Sequence, residues 1–358
     1  MKLRTPLTEL VGIEHPVVQT GMGWVSGARL VSATANAGGL GILASATMTL
    51  DELETAIGKV KAATDKPFGV NIRADAADAA DRVELILHAG VKVASFALTP
   101  KKELIARMKD TGTIAIPSIG SAKHARKVAD WGADAVIVQG SEGGGHTGPV
   151  ATTLLLPSVL DALQGSGIPV IAAGGFFDGR GLAAALSYGA AGVAMGTRFL
   201  LTSDSTVPNA VKRRYLDTQL DGTVVTTRVD GIPHRVLHTR LVKKLESDSR
   251  IQGFSAALRN AAKFKKLSQM TWRSMVRDSL AMRHGKKLTW SQLVMAANTP
   301  MLLKAGLVEG NIEAGVLASG QVAGILDDLP SCAELIESIV RDAIEHLQTA
   351  GTLIDRRL

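Results

Sequence analysis

Along the first two hundred residues short aliphatic runs alternate with longer amphipathic stretches, and a turn of Gly, Ser or Asn separates each run from the stretch that follows. A short unbroken apolar run suits a strand buried on both faces, and the amphipathic stretch suits the helix that carries the chain back to the next strand. Eight runs of this kind are legible: Pro16–Thr20, Gly41–Ala44, Phe68–Ile72, Val91–Phe96, Thr113–Pro117, Ala135–Gln139, Pro169–Ala173 and Gly192–Met195. The stretches between them, such as Leu50–Ala63, Asp75–His88, Ser121–Asp130 and Gly179–Tyr188, are rich in alanine and favour helix. No hairpin signal interrupts the series. Eight parallel units close on themselves more readily than they spread into an open sheet, so the expected fold class is α/β, a (β/α)8 TIM barrel over residues 1–205.

After Ser205 the pattern changes. Lys212-Arg213-Arg214, Lys243-Lys244, Lys263, Lys265-Lys266 and Lys286-Lys287 follow one another, and from Phe254 to His284 they interleave with Phe264, Leu267, Met270, Trp272, Met275, Leu280 and Met282. Residues 206–300 therefore read as a basic, mainly helical insertion after the eighth strand, either a plain cover or a lid that meets substrate. Residues 301–358 return to Gly and Ala and end in a helix, Ser331–Leu347, that completes the barrel.

Composition sharpens this. Aromatics are 4% of the chain against 46% hydrophobic residues overall, so the core is aliphatic. Between Asn209 and Trp290 there are 18 Lys plus Arg and 6 Asp plus Glu, a local charge of +12; with +7 for the whole chain, the remainder carries −5. A basic segment on a mildly acidic body points to an anionic small-molecule partner. Its cations are scattered among Leu, Met and Trp, with no nucleic-acid-reading motif, so no nucleic acid is expected. No stretch reaches the roughly 18 apolar residues of a membrane span, and a cytoplasmic protein with no membrane partner is expected. The lone Cys332 excludes an intramolecular disulfide and a cysteine-cluster metal site, and no metal is expected; Cys332 reads as a small packed residue at a helix start. The oligomeric state stays open, a homo-oligomer included.

Three constellations could carry chemistry. Ala173-Gly174-Gly175 directly after the seventh strand, and Met195-Gly196-Thr197 after the eighth, stand where barrel enzymes commonly bind phosphate through backbone N–H groups. Asp178 reads as a helix N-cap, since a carboxylate repels phosphate. After the sixth strand comes Gln139-Gly140-Ser141-Glu142-Gly143-Gly144-Gly145-His146, a run without an evident packing purpose. It reads as a flexible floor for a flat ring, with His146 as the best general acid or base among eight histidines and Glu142 as a supporting group. Gly21-Met22-Gly23 after the first strand permits close approach to a ring, and Asn71 offers a donor and an acceptor to a pyrimidine edge.

At these residues the chain resembles the nitronate monooxygenase (2-nitropropane dioxygenase) family, which includes flavin-dependent enoyl-thioester reductases. Asn36-Ala37-Gly38-Gly39-Leu40-Gly41, the Glu142–His146 loop, Gly174-Gly175 with Asp178-Gly179-Arg180-Gly181, Met195-Gly196-Thr197-Arg198-Phe199 and Ser319-Gly320-Gln321 are similar to its signature blocks. The resemblance implies FMN, with Gly21, Met22, Gly23, Asn71 and Gln139 near the ring, Gly174, Gly175, Gly196 and Thr197 at the phosphate, and His146 as the catalytic histidine; the loop and turn patterns themselves add Gly144 and Gly145 beneath the ring and Ala173 and Met195 at the phosphate. Members that oxidise nitronates commonly surround the substrate with tyrosines, whereas this chain has only Tyr188 and Tyr215. Within the family the chain looks most like flavoproteins of steroid-ring breakdown that act on an indanone CoA thioester, which implies an acyl-CoA substrate with NAD(P) as electron partner. Oxidation of alkyl nitronates by O2 is the alternative.

Overall fold

A computed structural model describes residues 2–98, 100–247 and 290–354, with residues 290–298 described by their backbone alone. The Phe254–His284 stretch and its Met270–Arg273 segment lie outside the described residues. Eight parallel strands close into a barrel: β1 (Val17–Gln19), β2 (Leu40–Ala44), β3 (Phe68–Arg73), β4 (Val93–Ala97), β5 (Ile114–Ile119), β6 (Val136–Gln139), β8 (Val170–Ala173) and β9 (Gly192–Met195), with β1 pairing both β2 and β9. Each stands within one or two residues of the run that predicted it. A short strand outside the barrel, β7 (Gly145–His146), intervenes between β6 and β8.

Alternate residues of each strand face opposite ways, and the core divides accordingly. Val18, Ile42, Val93, Ile116, Ile137, Ile171 and Ala194 belong to one buried cluster, the barrel interior. Val17, Leu43, Val70, Ala94, Ala115, Val136, Val170 and Val193 belong to another, shared with the surrounding helices. The first helix, α1 (Pro6–Val11), has a capping box between Thr5 and Thr8, and its Leu7 and Val11 join the interior cluster. They seal the amino-terminal end. At the other end the same alternation brings Asn71, Ser95, Gln139 and Ala173 inward, one step beyond the apolar residues. The interior therefore turns polar only at the carboxyl mouth.

Helices α2 (Ala28–Asn36), α3 (Leu50–Ala63), α4 (Ala79–His88), α5 (Lys102–Thr111), α6 (Ala122–Asp130), α7 (Thr152–Ala162) and α8 (Gly179–Tyr188) return the chain outside the strands. The Cys332–Thr352 helix packs against α8 and α2. A Cβ on Gly179 would stand 2.5 Å from Asp342 Cβ and 2.6 Å from Ala343 N, so this contact requires glycine. The segment after the barrel also contains two strands that its hydropathy does not reveal, β10 (Thr223–Thr226) and β11 (His234–Leu237). They form an antiparallel hairpin whose second strand pairs with β7.

Candidate active site

The turns after β8 and β9 stand together at the carboxyl mouth. Gly174 and Gly175 have φ of +91° and +83°, left-handed conformations that favour glycine. A Cβ on Gly174 would lie 3.1 Å from both Gly140 O and Thr152 Oγ1. Neither backbone N–H meets an acceptor among the described residues. Asp178 caps α8, its Oδ1 accepting from Gly181 N at 3.0 Å, as its position predicted. In the second turn, a Cβ on Gly196 would lie 3.1 Å from Thr20 Oγ1 and 3.4 Å from Met22 Sδ. The β1 loop and the β9 turn are therefore neighbours. Two adjacent turns with approachable N–H donors and no Cβ in the way suit an anionic phosphate.

Between these turns the mouth is closely fitted. A Cβ on Gly21 would overlap Asn71 Cβ, so only glycine lets the loop after β1 pass this close to the end of β3. Asn71 Nδ2 donates to Ser95 Oγ at 3.2 Å. Trp24 has φ of +66°, unusual for a bulky residue; its indole N–H donates to Pro300 O at 3.0 Å, and Lys304 Nζ lies 5.6 Å from the ring centre. The β1 loop is thereby tied to the Trp290–Leu307 helix.

The glycine run after β6 is not the loose floor that its composition suggests. A Cβ on Gly143 would stand 2.6 Å from Gln139 Nε2, and one on Gly144 would stand 2.5 Å from Gly320 N. These glycines are packing positions. Gly320 N–H in turn donates to Thr197 Oγ1 at 2.8 Å, and Gln321 N–H donates to Glu142 O at 2.9 Å. The Glu142 carboxylate accepts from Thr152 N and Oγ1, the latter at 2.8 Å, which caps the start of α7. The run therefore binds the β6 exit, α7, the β9 turn and the Ser319–Gly320 segment into one body.

His146 is also more tightly held than a glycine-flanked histidine suggests. Gly145, with φ of +72°, and His146 form β7, paired with Arg235 and His234 of β11. Gln139 Nε2 donates to His146 O at 2.9 Å. The imidazole Nε2 lies 2.6 Å from Asp230 Oδ2, and the ring centre is 4.7 Å from that of His234. The His146 side chain remains 45% exposed, while those of Asp230 and His234 are 7% and 4% exposed. Burial alone would raise the Asp230 carboxyl. The nitrogens of His146 and His234 outweigh it and hold that carboxyl well below the usual carboxylate range. His234 Nδ1 stands 3.5 Å from Asp230 Oδ2, and neither His234 nitrogen makes a hydrogen bond among the described residues.

Asp230 and His234 stand against His146 and are not singled out by the sequence reading. Their signal lay in Asp230-Gly231-Ile232-Pro233-His234, a turn sequence that places two polar side chains at the foot of a strand. The atoms of His146, Asp230 and His234 converge within metal-ligand range. However, donors on one tetrahedral zinc stand about 3.3 Å apart, so the 2.6 Å between His146 and Asp230 is a hydrogen-bond spacing. Two cations of the basic segment turn inward. Lys212 is buried and donates to Thr202 O and Ser205 O, and burial pushes its ammonium pKa down. Arg235 donates to Ser141 O and to Thr223 Oγ1.

The closed (β/α)8 barrel carries paired glycine turns after its last two strands and a held imidazole at the same mouth, the arrangement of a barrel enzyme with an anion-binding site. The chain belongs to the nitronate monooxygenase family, whose model matches residues 4–84 and 80–342. It is 83% identical over 355 residues, 99% of this chain and 100% of the relative, to (3aS,4S,5R,7aS)-5-hydroxy-7a-methyl-1-oxo-octahydro-1H-indene-4-carboxyl-CoA dehydrogenase of Mycobacterium tuberculosis. It is 68% identical to the protein of that name from Rhodococcus jostii, across 98% of this chain and 99% of the relative. The solved structure of FabK from Thermotoga maritima superposes with a TM-score of 0.81 at 35% identity, covering 98% of this chain and 100% of that one. The chain is an enzyme, an oxidoreductase. No helix among the described residues is long and apolar enough to cross a membrane.

Proposed function

We propose that this chain is an FMN-dependent oxidoreductase acting on a CoA thioester of the steroid-ring degradation type, with NAD(P) as electron partner. The observation that carries this reading is the pair of glycine turns at Gly174-Gly175 and Gly196-Thr197, open to an anion at the same barrel mouth as His146. The names of the Mycobacterium and Rhodococcus relatives support the substrate class. When bound, FMN would supply the two-electron hydride chemistry that side chains cannot.

The chain's own residues do the rest. Backbone N–H groups of Gly174, Gly175, Gly196 and Thr197 would hold the phosphate, with Ala173 and Met195 at the strand ends behind them. Gly21, Met22 and Gly23 would border the ring on one side, Gly144 and Gly145 on the other, and Asn71 and Gln139 present amides from the inward face of β3 and β6. One Gln139 Nε2 hydrogen is used on His146 O, leaving the second hydrogen and the carbonyl for the ring. His146 moves the proton that accompanies the hydride, as general base in oxidation and general acid in reduction. The described cations of the basic segment that remain exposed, such as Arg240, are candidates for the CoA phosphates.

The family's name favours a second reading, oxidation of an alkyl nitronate by O2. Purified protein with a flavin absorbance spectrum would be mixed aerobically with propyl-2-nitronate while oxygen uptake is followed, then anaerobically with the hydroxy-indanone carboxyl-CoA and NAD+ or NADP+. Turnover only in the anaerobic arm is the expected result. Oxygen uptake at turnover rates with no thioester reaction would replace the first reading by the second, and a colourless protein that takes up no FMN would end both.

A further inference from the structure

We propose that Asp230 is the positioning residue for His146, fixing the imidazole as the Nε2–H tautomer and leaving Nδ1 as the atom that gives and takes the proton. The proposal rests on the reading of His146 as the proton-moving group and names the device that makes it one.

Three observations carry it. The first is geometric: His146 Nε2 and Asp230 Oδ2 are 2.6 Å apart, a charge-assisted spacing, and Nδ1 has no partner among the described residues. An ionised carboxylate can only accept, so the hydrogen must reside on Nε2. In a neutral ring the lone pair is then on Nδ1. The second observation is that the carboxylate is itself fixed. Asp230 Oδ1 accepts from Ile232 N at 3.1 Å, and Gly231, with φ of +85°, closes the turn by donating to Thr227 O at 2.9 Å. Thr299 of the Trp290–Leu307 helix donates to Val229 O at 3.1 Å, bracing the same turn from behind. The third is the register of β7 on β11, which sets His146 directly opposite His234. The buried His234 ring stands against one side of the imidazole, its centre 4.7 Å away and its plane tilted by 49°, so the carboxylate approaches Nε2 from a packed side.

Among the described residues the groups against the imidazole are Asp230, from the β10–β11 turn, and His234, from β11; the backbone of His146 is held by Gln139 from β6. Removing the carboxylate leaves a half-exposed imidazole free to exchange tautomers and rotamers. A carboxamide is worse, because its NH2 can donate to Nε2 and drive the hydrogen onto Nδ1. A buried carboxylate replaced by its amide in a histidine-based catalytic unit lowers turnover by about 10⁴-fold in the best-studied case.

The test uses the FMN-loaded full-length enzyme. In 15N-histidine NMR spectra, the His146 resonance, assigned by its loss in His146→Ala, is expected to show the Nε2–H tautomer, and Asp230→Asn is expected to shift it toward Nδ1–H. In turnover assays with the CoA thioester, Asp230→Asn is expected to lower kcat by about 10²- to 10⁴-fold with KM changed less than about threefold. Asp230→Glu should recover part of the loss while Asp230→Ala does not, and all three should keep their flavin absorbance. An Nδ1–H tautomer in the unaltered enzyme would overturn the proposal, as would an unchanged kcat in Asp230→Asn alongside a turnover-dead His146→Ala. Full turnover in His146→Ala would instead sink the assignment of the proton to His146, and the NMR result would still decide whether Asp230 positions the ring. If Asp230→Asn lost its flavin, the tautomer in the unaltered enzyme and the kcat of Asp230→Ala would decide.

Discussion

The two halves of the barrel mouth are built from different materials. After β8 and β9 the chain offers main-chain N–H groups on glycines whose side chains would be obstacles, and nothing there needs to titrate. Around β7 the elements are side chains, an imidazole, a carboxylate and a second imidazole, brought together by strands from distant parts of the chain. A site made of backbone depends on conformation, and tolerates almost any residue beyond those that need to be glycine. A site made of side chains depends on partners, and one substitution changes its chemistry without moving the main chain. The halves should therefore fail separately.

His146→Ala should show this most clearly, with turnover falling by about 10²- to 10⁴-fold and the flavin absorbance retained. Retained turnover would dissolve the distinction. The complementary change, Gly174→Ala, places a Cβ 3.1 Å from Gly140 O at a φ of +91°. The strain is of order 1–3 kcal/mol, so FMN affinity should fall by about tenfold or more, read as the flavin-to-protein ratio after gel filtration, while the reaction of whatever enzyme keeps its flavin is unchanged. Gly144→Ala tests the junction of the halves, because its Cβ would stand 2.5 Å from Gly320 N. It should lower stability by about 1–3 kcal/mol in chemical unfolding, with both functions weakened together.

Asp230→Asn sharpens the side-chain half through pH. Because the Asp230 carboxyl is held below the usual carboxylate range, its pairing stabilises the fold above the unfolded value of about 3.9 and loses that contribution as pH falls toward the lowered folded value. The gap in melting temperature between the parent and Asp230→Asn should be widest above pH of about 4 and close below it; a gap constant with pH would mean that the charge of Asp230 is irrelevant to the fold. At the small end stands the exposed Arg107–Glu84 pair on the outside of the barrel, bidentate at 2.8 and 2.9 Å. Solvent screens it, and Arg107→Ala should leave the melting temperature, flavin content and turnover unmoved.

The barrel was legible because its signal is local. Runs such as Pro169–Ala173 and Gly192–Met195 name strands buried on both faces, and the glycines that follow them name turns, whatever the rest of the chain does. The phosphate candidates inherit that legibility, as they are consecutive residues at strand ends. His146 stands out in the sequence by type and setting, but the need for the glycines beside it is not local. Gly143 and Gly144 make room for Gln139 and Gly320, and a residue 176 positions further along the chain leaves no local trace of that need. The hairpin of β10 and β11 escaped notice for a similar cause. Thr223–Thr226 is only partly buried, and it becomes a strand by pairing with β11, which in turn pairs with β7.

The sequence by itself determined the eight-fold alternation, the aliphatic core and the glycine turns at the last two strands, because each depends on interactions between residues a few positions apart. Tertiary structure alone decided that Asp230 and His234 meet His146, and that Lys212 and Arg235 turn inward to carbonyl oxygens. Those outcomes depend on which distant segments share an edge. A two-residue strand at Gly145–His146 has too few residues to announce itself by period, and it exists only because β11 arrives to accept and donate its hydrogen bonds.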